Sequence, residues 1–214
     1  MAPIIMTSDL ERADRRQALL LYPVFLASGA AAILYQIVWQ RALFRFLGTS
    51  MESVTMIVTA FMLGLGLGSL AGGVISEKSR MPLALVFGFV ELGIGAFGLV
   101  SLPLFGWIAN ATSQASGLAI GLIAFAAVLI PTLLMGGTLP ILVAYLVRRS
   151  RNVGRSVGML YFVNTIGSAL GSLAAALWIL GALGQQSTVR LAAAVNLFVA
   201  AVVIVGHVAR RRAA

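Results

Sequence analysis

Glu91 falls near the middle of a long apolar run, residues 82–104, and it sets the chemistry this chain could perform. An ionised carboxylate at the centre of a bilayer costs about 2.5 kcal/mol or more, so such a group is protonated, paired or turned toward water. In that position it could bind a cation, a polyamine or a proton; as a structural group it would hydrogen-bond a backbone carbonyl or Asn196. Amides and hydroxyls at comparable depth could share the site. Tyr35, Gln36 and Gln40 lie in the first apolar run, the two glutamines one helical turn apart, with Asn164 beside Thr165 in the fifth run and Asn196 in the sixth. Taken singly, each is an interhelical hydrogen-bonding group worth about 0.6 kcal/mol. Together with Glu91 they would line a cavity suited to a small cationic substrate. The chain has no cysteine, and it shows no paired carboxylates, nucleophile–base pair or metal-ligand cluster. The expectation is a protein that is not by itself an enzyme and that carries no cofactor and no metal.

The elements that must position these groups follow from composition. Of 214 residues, 60% are hydrophobic and 10% charged, with a mean hydropathy of +1.02. A soluble fold of this size could not bury that much apolar surface, so the solvent is a bilayer. Six runs approach the roughly 20 residues a spanning helix needs: 18–39, 53–75, 82–104, 117–146, 156–180 and 187–207. They are apolar on every face and too long for barrel strands, which predicts an all-α integral membrane protein of six transmembrane helices. The first run continues through Gln36, Trp39, Gln40 and Arg41 without a convincing cleavage site, and is read as a retained helix. Residues 1–17 would then be a cytoplasmic segment, 18–208 the membrane domain and 209–214 a basic cytoplasmic tail.

The net charge of +9 resembles a nucleic-acid signal only until it is mapped onto the runs. Arg12, Arg15, Arg16, Lys78, Arg80, Arg148, Arg149, Arg151, Arg155 and Arg210 to Arg212 fall on one side, and Arg41, Arg45 and Arg190 on the other. By the positive-inside bias both termini are cytoplasmic. The basic face would attract anionic lipids, and no nucleic acid is expected. Trp39, Trp107 and Trp178 are placed at outer helix ends, where indoles prefer the interface. Arg41 and Arg45, one turn apart, would snorkel to outer headgroups. Asn110-Ala-Thr112 fits a glycosylation acceptor on an outer loop.

Residues Gly64-Leu-Gly-Leu-Gly68-Ser-Leu-Ala71 return, largely unchanged, as Gly167-Ser-Ala-Leu-Gly171-Ser-Leu-Ala174. The same offset lays the flanking runs on one another, so repeat 1 (18–104) and repeat 2 (117–208) are expected as two inverted three-helix units. Gly64, Gly68 and Gly72, with Gly167 and Gly171 in the second copy, form stripes where another backbone can approach closely. A dinucleotide-binding reading of this glycine run fails, because that motif needs a preceding strand and an accessible helix start. In the fourth run, Pro131 and Pro140 bracket Gly136 and Gly137, and a bend or break is expected around Gly136.

Inverted three-helix repeats resemble half of a major facilitator transporter. The segment Gly73-Val-Ile-Ser-Glu77-Lys78-Ser-Arg80 is similar to the facilitator loop in which acid–base pairs act as a switch, although the second glycine of that pattern is missing. A more specific resemblance runs through Ser28-Gly29, Tyr35-Gln36, Trp39, Arg41, Leu47-Gly48, Ser50, Phe61-Met62 and Gly64 to Ser69. It continues through Pro82-Leu83, Glu91 to Gly95, Pro131 to Pro140, Tyr161 and Asn164 to Gly167. These residues resemble the membrane portion of bacterial proteins that fuse a facilitator-like part to a spermidine-synthase-like domain. The resemblance implies a bacterial cytoplasmic membrane and a transporter-like module handling a polyamine or similar cation. It equally implies an anchor for a separate aminopropyltransferase-like partner. The glycine-rich loop and acids of the synthase domain are not found in this chain, so its activity does not carry over. As partners, the reading implies membrane lipids and a homodimer or a membrane or soluble subunit.

Overall fold

The computed structural model describes residues 20–45, 54–112, 114–116, 118–209 and 211–212 in full. Of residues 4–19, 46–47, 51–53, 117, 210 and 213 it describes the backbone alone. The expected roles of Arg12, Arg15, Arg16 and Arg210, and the resemblance at Leu47-Gly48 and Ser50, rest on side chains or residues outside that description.

The described residues are all-helical, and among them are five helices long and apolar enough to cross a membrane, not six. Helices α1 (Ile4–Leu47), α2 (Met51–Lys78), α3 (Leu83–Ala111) and α4 (Gly117–Ser150) are joined by short connections. Where the fifth and sixth helices were expected, one stretch of 57 residues, Val153–Ala209, is helical except at Gly184; it is called α5 here. It consists of a first arm (Val153–Ala174), a π-helical turn (Ala175–Ile179) and a second arm (Leu180–Ala213). The six-helix, two-repeat arrangement and its comparison with half a facilitator are corrected accordingly. The physical reason is the missing loop. Gly184 alone, at φ 69 and ψ 178, departs from helical geometry, a left-handed position that costs glycine little.

That one residue folds α5 back on itself. Asn164 in the first arm and Asn196 in the second line the same cavity, whereas a straight helix would hold them roughly 48 Å apart. The second arm packs on α3, and α1 lies against both arms. Gly184, Gln185 and the adjoining ends of α1, α3 and α4 therefore form one end of the bundle. Arg148 and the junction of α4 with α5 mark the other. At that junction Arg151 takes a left-handed conformation (φ 53), and the Asn152 side chain caps α5 by accepting from the Arg155 amide at 2.9 Å.

Helices in lipid gain nothing from hiding apolar surface from one another, so close backbone contact has to hold them together. The glycines supply it. A Cβ on Gly68 would collide with the Leu133 carbonyl oxygen, one on Gly64 with the Thr132 hydroxyl, and one on Gly136 with the Leu65 carbonyl oxygen. A Cβ on Gly72 would lie 2.7 Å from the Cα of Gly137. The α2 stripe is thus seated on the proline-bracketed part of α4. Helix α4 runs from Gly117 to Ser150 with Pro131 and Pro140 inside it, so of the bend or break expected around Gly136 there is no break. Within it, Thr132 returns its hydroxyl to the Val128 and Leu129 carbonyls at 2.9 and 3.0 Å. Gly167 and Gly171 face α1 in the same way, against Leu26 and Ala30.

Gly66 lies on the opposite side of α2, with nothing within 4 Å of an added Cβ. Gly68→Val should therefore destabilise the bundle by about 1–3 kcal/mol or abolish monodisperse extraction, while Gly66→Val leaves it intact. Melting curves and size-exclusion profiles in detergent check the pair.

Candidate functional site

Three helices bring one polar layer together. Glu91 comes from α3, Ser28 from α1 and Asn196 from the second arm of α5. The Ser28 hydroxyl donates to Oε1 of Glu91 at 2.6 Å, and the Asn196 amide nitrogen donates to Oε2 at 2.5 Å. Glu91 is completely buried, with Asn196 and Ser28 nearly so.

The layer separates two apolar clusters. Phe25, Phe87 and Val199 belong to one cluster, which also holds Leu83, Leu142 and Leu160. Ala31, Ile94 and Ala193, each about one turn further along the same helices, belong to the other, with Trp39, Phe61 and Phe105. Local structure explains the convergence: on each of the three helices a single polar residue interrupts the buried face at the same height.

A cavity of about 360 Å³ opens beside this layer. Its polar lining comprises Ser28, Gln36, Ser69, Thr138, Tyr161, Asn164, Ser168 and Asn196. Glu91 stands directly behind the wall, reached through the two side chains that hydrogen-bond it. Asn164 and Ser168 also tie the first arm to α1, donating to the carbonyls of Phe25 at 3.4 Å and Gly29 at 3.0 Å. The Oδ1 of Asn196 is buried and has no hydrogen-bond partner among the described residues. A buried acceptor left unmet costs about 1–3 kcal/mol, which a donor arriving in the cavity would recover.

The structure thus gathers Gln36, Asn164 and Asn196 around one space, with Glu91 immediately behind it. It does not place the other two expected site residues there. Tyr35 is fully buried, stacked on Trp39 with ring centroids 4.8 Å apart, and its hydroxyl is packed against Gly98 with no hydrogen-bond partner among the described residues. Gln40 is half-buried and does not line the cavity. Sequence reasoning passed over Ser28, Ser69, Thr138, Ser168 and Tyr161 as lining groups, because hydroxyls are common in apolar helices and carry no periodic signal of their own.

Trp39 corrects another expectation. It is no interfacial anchor: its indole N–H donates to the Ser101 hydroxyl at 2.9 Å, and Phe61, Phe97 and Phe105 surround the ring at 6.1, 5.5 and 6.2 Å. Trp107 and Trp178 do project outward, at 68% and 65% exposure.

At the Arg148 end, Glu77, Lys78 and Arg80 are exposed and do not line the cavity. The contact that fastens the end of α2 comes from α4 instead, where Arg148 donates to the Ser76 carbonyl at 2.6 Å. Among the described residues no cluster of three or more His, Cys, Asp or Glu could hold a metal ion.

No family model and no solved structure matches the chain. Two curated proteins do. Polyamine aminopropyltransferase 1 of Streptomyces coelicolor is 27% identical over 195 residues, covering 91% of this chain and 35% of that protein. Polyamine aminopropyltransferase 2 of the same organism is 26% identical over 194 residues, covering 88% of this chain and 34% of its own length. The chain is distantly similar to polyamine aminopropyltransferases. It spans about a third of the length of these relatives.

Trp39 gives a direct optical check on the packing beside the site. In a Trp107→Phe, Trp178→Phe background its emission should be blue-shifted and much less sensitive to acrylamide than that of the parent, to which Trp107 and Trp178 contribute. Easy quenching of Trp39 would contradict the aromatic cluster.

Proposed function

We propose that the chain is an integral membrane module that binds a polyamine-type cation at mid-span, with Glu91 as the counter-charge. The observation that carries this reading is the arrangement of the one fully buried acid among the described residues: its two neutral partners, Ser28 and Asn196, form part of a cavity wall. An aliphatic ammonium entering that space could donate to the unmet Oδ1 of Asn196 and to the amide and hydroxyl oxygens around it. Displacing one of the two partners would bring it against the carboxylate. The volume falls within the 300–1,000 Å³ of small-ligand sites, and methylene carbons would lie against Ile33, Leu65, Ile94 and Leu139. Similarity to polyamine aminopropyltransferases supports the ligand class. Five long apolar helices support the membrane setting, and the arginines at the Arg148 end support placing that end in the cytoplasm. Passage of the cation through the membrane is the transporter form of the same proposal.

A second reading has its own support. The matched segment covers about a third of each relative, so the module would serve as the membrane anchor of an aminopropyltransferase-like enzyme and hold polyamine close to it. Copurification of such an enzyme in gentle detergent would favour it.

Spermidine binding to the reconstituted protein tests the site. Glu91→Gln should weaken it about tenfold or more while leaving the melting temperature close to that of the parent. A proton and an ammonium compete for one carboxylate, so affinity should rise with pH in the parent and lose that slope in Glu91→Gln. Equal affinity in the two proteins, with no difference in pH dependence, would remove Glu91 from the site.

A further inference from the structure

A second, larger cavity of about 720 Å³ lies at the Gly184 end of the bundle, and its chemistry is opposite to that of the Glu91 site. It is framed by the ends of α1 and α3 and by the turn of α5. Arg45, Asn110, Gln185 and Gln186 supply its polar groups, and Leu102 and Phe105 are among its apolar ones. Arg45 donates to the side-chain oxygen of Gln185. A neutral amide orients the guanidinium without neutralising it, and among the described residues no carboxylate pairs with Arg45. Gln185 follows directly on Gly184, and the reversal of α5 at that residue brings both glutamines to the cavity rim.

The wider charge pattern points the same way. Arg41 precedes Arg45 by one turn and is exposed, and exposed Arg190 lies on the second arm shortly beyond the turn. Glu52, in the first turn of α2, is the acidic residue at this end, and its side chain lies outside the described residues.

We infer that this cavity is a binding site for a phosphate-type oxyanion, seated on Arg45 with Asn110, Gln185 and Gln186 as further hydrogen-bond donors. A guanidinium fork and side-chain amides match phosphate oxygens, and the apolar lining suits the glycerol and first methylenes of a phospholipid. The shared ligand chemistry is the phosphate group, supplied by an anionic lipid headgroup or by a free phosphate. The site is independent of the Glu91 cavity and stands whether or not that cavity binds a polyamine.

Native mass spectrometry of the full chain with phosphatidylglycerol or phosphatidylcholine added, with and without inorganic phosphate, tests it. The expected result is preferential retention of phosphatidylglycerol, reduced about tenfold by Arg45→Gln at an unchanged melting temperature. Retention that survives millimolar phosphate assigns the site to the lipid; retention that phosphate abolishes assigns it to the free anion. Either supports an oxyanion site. Equal retention of the two lipids, or equal retention of phosphatidylglycerol by parent and Arg45→Gln, overturns it. Asn110→Ala, at the end of α3, gives a second variant in which a weaker loss is expected should Arg45→Gln fail to fold.

Discussion

One buried hydrogen-bonded layer sets the register of the bundle. Glu91, Ser28 and Asn196 come from three different helices, and each can reach its partners only when those helices stand at one relative height. Apolar side chains tolerate sliding by a turn, since one leucine against another is much like the next. A carboxyl group in hydrocarbon does not, because losing its partners leaves an unmet polar group where no water can replace them. The aromatic cluster around Trp39 on one side and the Phe25–Phe87 cluster on the other are aligned by that layer. The Phe25 and Phe87 rings meet edge to face at 6.3 Å.

The glycine contacts and the polar layer divide the work of assembly. Where α2 meets α4 and the first arm meets α1, missing side chains let backbones touch, and dispersion over a close interface supplies the attraction. Where α3 meets α1 and the second arm, hydrogen bonds and aromatic rings join the glycine contacts of Gly88, Gly95 and Gly98. The cavity beside Glu91 lies between these two kinds of contact. Its wall is built from the glycine-bearing segments of α4 and from the polar faces of α1 and α5.

Much of this was readable from residues alone, for identifiable reasons. The apolar runs that become α1 to α4 are unmistakable, because an all-apolar run of that length has no other use. Asn196 could be proposed as a partner of Glu91 because amides at that depth are few. Ser28 could not, since a serine in an apolar helix most often returns its hydroxyl to its own backbone, as Ser76 and Ser101 do at 2.7 and 2.8 Å. Trp39 was misread because its position near a run's end matched an interface. Helix α1 in fact continues to Leu47, which carries the indole into the core. The separation into a fifth and a sixth helix was misread because Gln185, Gln186 and Arg190 look like a polar loop. Helical geometry is left only at Gly184, and that single glycine makes the reversal.

A turn with no length has no slack. The two arms of α5 are tied at Gly184 by one residue, so the joined end of neither can slide along the bundle without taking its twin along. Any displacement of the second arm along α3 is therefore inherited by the first arm along α1. The glutamines at that tie and the asparagines at mid-span are parts of one lever, coupling what happens at the rim of the bundle to what happens at its centre.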